Sequence, residues 1–208
     1  MCAIFGSFEI EKLKELALLN SYRGERSYSI SEYSPNTKKL LTKQKCMGQF
    51  SLDNVELKAG MYYVAHIQAP TTEASAMESI HPSDRKDGDD LLWHNGILKE
   101  AFVREMQSTL TSNQKWDTGL LHDWLIEEKS LSDVDGTFAC LRYINGDIQL
   151  FRNEISPLFV DDKLNISSTK FAGSNPLPPN KVLTLDFNEY IMNEGLNFIT
   201  KDNPYYFG

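Results

Sequence analysis

The chain has 208 residues, 41% of them apolar and 24% charged, with 21 Lys and Arg against 29 Asp and Glu for a formal net charge of −8. That size and composition suit one ordinary globular domain, and a single domain is expected over residues 1–208. The acidic balance argues against nucleic acid or an anionic membrane as partner, and no apolar window is long enough to cross a bilayer as a helix. Three widely spaced cysteines, Cys2, Cys46 and Cys140, suggest neither a disulfide framework nor a zinc site. No metal or cofactor is therefore expected, and a reducing cytoplasm is the expected location. The N-terminus lacks the basic start and apolar length of a signal peptide.

Taken in order, Cys2 to Phe8 reads as a buried strand. Glu9 to Asn20 has the helical period, with Ile10, Leu13, Leu16, Ala17 and Asn20 near one face. Ser27 to Tyr33 and Leu40 to Lys45 read as strands paired across the Ser34-Pro35-Asn36 turn, and Met61 to Ile67 as a further buried strand. The stretch from Gln68 to Asp90 is irregular and of the length that often serves function. Leu91 to His94 returns to the sheet. Leu98 to Leu110 and Thr118 to Glu128 read as helices, the second with Asp117 where an N-cap belongs. Thr137 to Tyr143 and Asp147 to Arg152 flank Ile144-Asn145-Gly146, a strong hairpin signal. Leu158 to Val160, Lys163 to Ser167 and Lys181 to Phe187 complete the strands. Strands, then helices, then strands favour an α+β layered fold.

Three features carry chemistry. If Met1 is removed, Cys2 becomes the N-terminal residue, with its thiol beside a free α-amine. Reference pKa values of about 7.7–8.0 for the amine and about 8.5 for the thiol let the amine take the thiol proton without a separate histidine. On position alone, a cysteine in a buried strand is more often a small hydrophobe. Trp93-His94-Asn95-Gly96-Ile97 offers the Asn95 amide and the Gly96 N–H as converging donors for an oxyanion, although Asn-Gly is most commonly a tight turn. Tyr22-Arg23-Gly24-Glu25-Arg26-Ser27-Tyr28 places Arg23 where it would orient a loop or merely follow a helix end.

Together these segments resemble the class II glutamine amidotransferases, a family of N-terminal nucleophiles. Met1-Cys2-Ala3-Ile4-Phe5-Gly6 is similar to the family's start, and Tyr22-Arg23-Gly24-x-x-Ser27 to its Arg-Gly-x-Asp-Ser segment. Ala65-His66-x-x-x-Pro70-Thr71 is similar to His-x-Arg-x-Pro-Thr, and Ile80-His81-Pro82 to Ala-His-Pro. His94-Asn95-Gly96 resembles the oxyanion motif, Asp117-Thr118 the start of Asp-Thr-Glu, and Gly136-Thr137-Phe138-Ala139 the Gly-x-Phe-Ala strand. The segments Arg152 to Leu158 and Asn165 to Ser168 resemble later family strands. The resemblance implies a four-layer αββα sandwich of the N-terminal nucleophile hydrolase type. It also implies glutamine as substrate, hydrolysed through a Cys2 thioester. Asn95 and Gly96 would form the oxyanion hole and Asp117 would bind the α-ammonium. Thr71 would hold the substrate and Arg23 would support the site.

The sequence departs from the family at three positions. The arginine expected to pair with the substrate α-carboxylate falls on Gln68, Arg26 replaces an Asp, and Gly119 replaces a Glu. An amide cannot supply a guanidinium's charge, so Arg26, Arg85 and Lys86 are candidates to restore it. No segment remains for activating an acceptor, so a separate synthase or ligase subunit is expected to take the ammonia. Two alternatives stand beside this reading: an amidase acting on a different amide, and a catalytically silent regulatory or scaffold subunit.

Overall fold

A computed structural model describes residues 2–69 and 78–202. The strands are β1 (Ala3–Ser7), β2 (Ser27–Ser34), β3 (Lys39–Met47), β4 (Tyr62–Gln68), β5 (Ser83–Arg85), β6 (Asp90–Leu98), β7 (Gly136–Ile144), β8 (Asp147–Arg152), β9 (Phe159–Val160), β10 (Ile166–Ser167), β11 (Asn175–Pro176), β12 (Lys181–Asp186) and β13 (Ile191–Asn197). The helices are α1 (Ile10–Asn20), α2 (Glu100–Thr109) and α3 (Asp117–Ile126). The strands form a seven-stranded sheet in the order β11-β9-β10-β1-β4-β2-β3 and a six-stranded sheet in the order β13-β12-β8-β7-β6-β5.

Alternation along the strands builds three cores. Ile4, Tyr62, Val64 and Tyr33 point from the first sheet into a core shared with Leu91, Trp93, Leu141 and Leu150 of the second. The intervening residues Ala3, Phe5, Ala65 and Ile67 pack under Leu13, Leu16 and Ala17 of α1. On the far side, Leu92, Phe138 and Cys140 pack under Phe102 and Met106 of α2 and Leu120, Leu121 and Trp124 of α3. These are the cores an αββα order of layers requires, and the α+β fold with two facing antiparallel sheets is the one expected. Among the described residues, no helix is long and apolar enough to cross a membrane.

The element boundaries moved where pairing outweighed local signals. The helix expected from Thr118 starts at Asp117, whose Oδ1 accepts from the Thr118 N–H at 2.7 Å. Asn95 and Gly96 make no turn. β6 runs on to Leu98 because β7 pairs with it throughout, setting Asn95 opposite Ala139 and Gly96 opposite Phe138. The irregular stretch after Gln68 contains a strand, β5, paired with β6.

A buried ion-pair cluster ties α3 to the second sheet. Asp90 is fully buried and accepts from Arg142 at 2.9 and 2.6 Å. His122 of α3 contacts Asp90 at 2.9 Å and Ser83 at 3.0 Å. Burial alone would push the Asp90 carboxyl up, but Arg142 and His122 hold it down at about 2. Arg85 forms a two-pronged pair with Asp123 at 2.6 and 3.2 Å. It is thereby engaged as a clamp on α3, which corrects its candidacy as a free cation for a substrate.

Candidate active site

Cys2 lies at the start of β1, near the middle of the first sheet. Ala3 pairs with Ile67 of β4, so extending the register by one sets Cys2 opposite Gln68. Ala3 and Ile67 face α1, so Cys2 and Gln68 face the second sheet. The Cys2 thiol donates to the Ala69 carbonyl at 3.7 Å. Burial pushes it up to about 11, with the nearby Asp117 carboxylate adding to the rise and Arg23 opposing it. The thiol is therefore protonated at neutral pH, and any attack by its sulfur must include removal of that proton.

Asn95 reaches toward the same place from the other sheet. On β6, Trp93 points into the inter-sheet core and Leu92 toward the helices, so Asn95 falls in phase with Trp93 and faces the first sheet. Its Nδ2 donates to Ser168 Oγ at 3.2 Å. The same oxygen accepts from the Ile4 N–H at 3.0 Å, and the Ser168 N–H donates to the Ile4 carbonyl at 2.9 Å. Among the described residues, the second Asn95 amide N–H has no acceptor. Gly96 tolerates no side chain, because a Cβ there would lie 1.9 Å from the Thr137 carbonyl oxygen.

Arg23 gathers the strand ends. It donates through Nε to Thr169 Oγ1 at 3.0 Å, to the Cys2 carbonyl at 3.4 Å and to the Ser168 carbonyl at 3.3 Å. Three of its five N–H donors are thus spent on holding the chain in place. Ser168 was quoted above only as part of a strand. Its role as the joint between Cys2's strand, Asn95 and Arg23 joins residues far apart in sequence, and the Ser167-Ser168-Thr169 run of hydroxyls is the only local signal for it.

Asp117 stands at the N-terminus of α3, where the helix dipole favours a carboxylate. It is near enough to raise both Cys2 and His94. Gln68 is buried, and its Oε1 accepts from Ser27 Oγ at 3.0 Å. Gly119 is required by packing: a Cβ there would lie 2.2 Å from Trp116 Nε1, so the indole fills the space a larger side chain would need. The structure therefore brings Cys2, Arg23, Asn95 and Gln68 to one end of the inter-sheet space. Gly96 follows on the same strand and Asp117 lies within electrostatic range. Thr71 lies outside the described residues.

This arrangement of two facing antiparallel sheets belongs to the N-terminal nucleophile hydrolase fold. A solved structure of glutamine phosphoribosylpyrophosphate amidotransferase from B. subtilis, complexed with ADP and GMP, matches it with a TM-score of 0.69 at 19% identity. The match covers 93% of this chain and 49% of that one. The structure of an allosteric regulatory enzyme of purine biosynthesis matches with a TM-score of 0.68 at 18% identity, covering 95% of this chain and 50% of that one. The chain thus spans about half the length of both, and at these identities the likeness establishes the fold. No protein-family model matches the sequence, and no curated protein matches it.

Proposed function

We propose that the protein is a Cys2-dependent glutamine amidotransferase subunit that hydrolyses the glutamine side-chain amide and passes the ammonia to a separate acceptor enzyme. The observation that carries this reading is the joint at Ser168. There the second sheet's Asn95 amide is tied to the strand that begins with Cys2, and Arg23 closes the same joint on the Cys2 carbonyl. The amidotransferase structures that share the fold support it.

In this mechanism Met1 is first removed. The α-amine of Cys2 takes the thiol proton as Sγ attacks the side-chain carbonyl carbon of glutamine. The oxygen becomes an oxyanion, held by the free N–H of Asn95 and the Gly96 N–H. The C–N bond breaks, and the proton on the amine passes to the departing ammonia. A glutamyl thioester remains on Cys2. Water, deprotonated by the same amine, attacks the thioester, and glutamate leaves as the thiol re-forms. Asp117 accepts from the substrate α-ammonium, Thr71 holds the substrate, and Arg23 keeps the Cys2 strand end in place.

The processed protein should release glutamate from glutamine. It should also gain one adduct on Cys2, seen by mass, from the diazo-ketone mimic of glutamine. Turnover that survives Cys2→Ala would sink this reading.

Gln68 favours a second reading, an amidase on a different amide. The residue opposite the nucleophile is neutral, and its carbonyl is already taken by Ser27. A charged hydrogen bond lost from the carboxylate would weaken glutamine by roughly one to two orders of magnitude, from about 1.5–3 kcal/mol. Hydrolysis of glutaminyl amides lacking a free carboxylate at a lower KM than glutamine would support the second reading; the reverse preference would remove it.

A further inference from the structure

Four side chains close a ring behind the site. His66 Nε2 of β4 meets the His94 carbonyl of β6 at 3.4 Å, a bond that joins the two sheets. His94 Nδ1 meets Thr118 Oγ1 of α3 at 3.2 Å, and His81 Nε2 meets the same hydroxyl at 3.1 Å. His81 then stacks back on His66, with ring centroids 3.9 Å apart and planes at 28°. His66, His81, His94 and Thr118 are all buried.

For neutral rings, hydrogen-bond chemistry allows one consistent arrangement of the protons. Carbonyl oxygens only accept, so His66 Nε2–H donates to the His94 carbonyl. His94 Nε2–H likewise donates to the Thr137 carbonyl at 3.5 Å. His94 Nδ1 is then a bare acceptor and takes the single Thr118 hydroxyl proton at 3.2 Å in preference to Asp117 Oδ1, the hydroxyl's other acceptor, at 3.4 Å, because two lone pairs would otherwise face each other. That leaves the Thr118 oxygen to accept from His81 Nε2–H. The two ring nitrogens with no hydrogen-bond partner among the described residues, His66 Nδ1 and His81 Nδ1, are therefore lone pairs rather than buried N–H groups. The charged neighbours are Asp117 beside His94 and Lys45 beside His81. Burial nevertheless dominates and lowers all three histidines, His66 to about 3.

We propose that His66, His94, Thr118 and His81 form a neutral positioning ring that fixes the Asn95–Gly96 segment against the strand bearing Cys2. His94 directly precedes Asn95, and His66 lies two residues before Gln68, so the ring sets the gap between the sheets where the chemistry is proposed. None of the four touches the reacting atoms. The kinetic consequence rests on the Cys2 amidase reading, whereas the ring's proton arrangement does not.

Two measurements test this. Ring ¹⁵N NMR of the wild-type protein should show all three histidines neutral and protonated on Nε2 from about pH 5 to 8. An Nδ1–H tautomer at His94, or protonation of any of the three near the ordinary histidine value, would overturn the proposal. In kinetics, Thr118→Val keeps the shape and removes the hydroxyl. It should lower kcat for glutamine about tenfold to hundredfold, the scale of a small misplacement. KM should stay within about threefold, and Thr118→Ser should recover most of the rate. Thr118→Val at the wild-type rate, or Thr118→Ser as impaired as Thr118→Val, would also overturn it. If Thr118→Val fails to fold, His81→Phe keeps the stacked ring and loses the bond. A fall in kcat then supports the ring, and a wild-type rate overturns it. A wild-type protein inert toward glutamine counts against the proposed function, and the tautomers alone then decide the ring.

Discussion

β6 carries two buried histidine clusters built on opposite principles, one at its start and one at its middle. At its start, Asp90, Arg142 and His122 form a charged cluster in which the carboxylate is gripped from two sides. At its middle, His94, Thr118, His81 and His66 form an uncharged one that, among the described residues, leaves two ring nitrogens without partners. The charged cluster even has the hydroxyl–imidazole–carboxylate order of a nucleophile triad, Ser83–His122–Asp90. Yet Ser83 is 2% exposed and Asp90 is already neutralised by Arg142, so the serine can neither meet a substrate nor be activated. Residue types in the right order thus make a clamp where access is sealed. The stretch around Asn95 instead combines a half-buried thiol with an amide N–H that has no acceptor among the described residues.

Removing one member of the charged cluster should have the largest effect on stability. Asp90→Ala leaves the Arg142 guanidinium buried without its counter-charge, and such a loss costs about 3–5 kcal/mol. Urea unfolding should show that drop in midpoint, with amidase activity per folded molecule retained. A loss of activity greater than the loss of folded protein would mean that the two clusters on β6 are coupled.

At Asn95, beside the uncharged cluster, the effect should fall on rate rather than fold. Asn95→Ala removes a proposed oxyanion donor and should lower kcat by about 10²–10³, equivalent to about 2.7–4 kcal/mol. Stability should fall only by about 1 kcal/mol, for the bond to Ser168. A melt as damaged as that of Asp90→Ala with kcat untouched would make Asn95 a structural residue and erase the contrast between the two clusters.

Some of this contrast was legible in the sequence. The stripe Leu13-Leu16-Ala17 marked α1 because one helical face is buried. Asn145-Gly146 marked a hairpin because both residues sit at positive φ, 52° and 90°. Cys2, Arg23 and Asn95 were singled out by a motif order, and the structure brings them together. β13 was missed: Ile191–Asn197 is an exposed edge strand, so it lacks the buried alternation that signals a strand. Asn95-Gly96 carries a turn signal that pairing with β7 overrides. Ser168, the Thr118 ring and the Asp90 cluster were invisible for one reason: each is made by contacts between residues dozens of positions apart, and no local pattern encodes which partners meet.

Acid separates the ring histidines from Asp90 most finely, while His122, which burial also lowers, falls in with the ring. The ring histidines have folded values below their unfolded ones, His66 at about 3 against an ordinary value near 6.5. In that window the unfolded chain binds protons that the folded one refuses, so stability is complete above about pH 6.5 and is lost as pH falls toward 3. The slope is about 1.4 kcal/mol per pH unit for each such histidine. Asp90 is depressed to about 2 from an ordinary value of 3.8, so its contribution is complete above that ordinary value and is lost only as pH falls toward 2. Replacing His66 with Gln should therefore flatten the decline between pH 6.5 and about 4 and leave the steeper acid limb in place. Replacing Asp90 with Asn should flatten only the limb below about pH 4. Urea midpoints measured across pH for the two variants would read these windows directly. If His66→Gln changed only the limb below about pH 4, His66 would not be the neutral, proton-refusing group its burial requires.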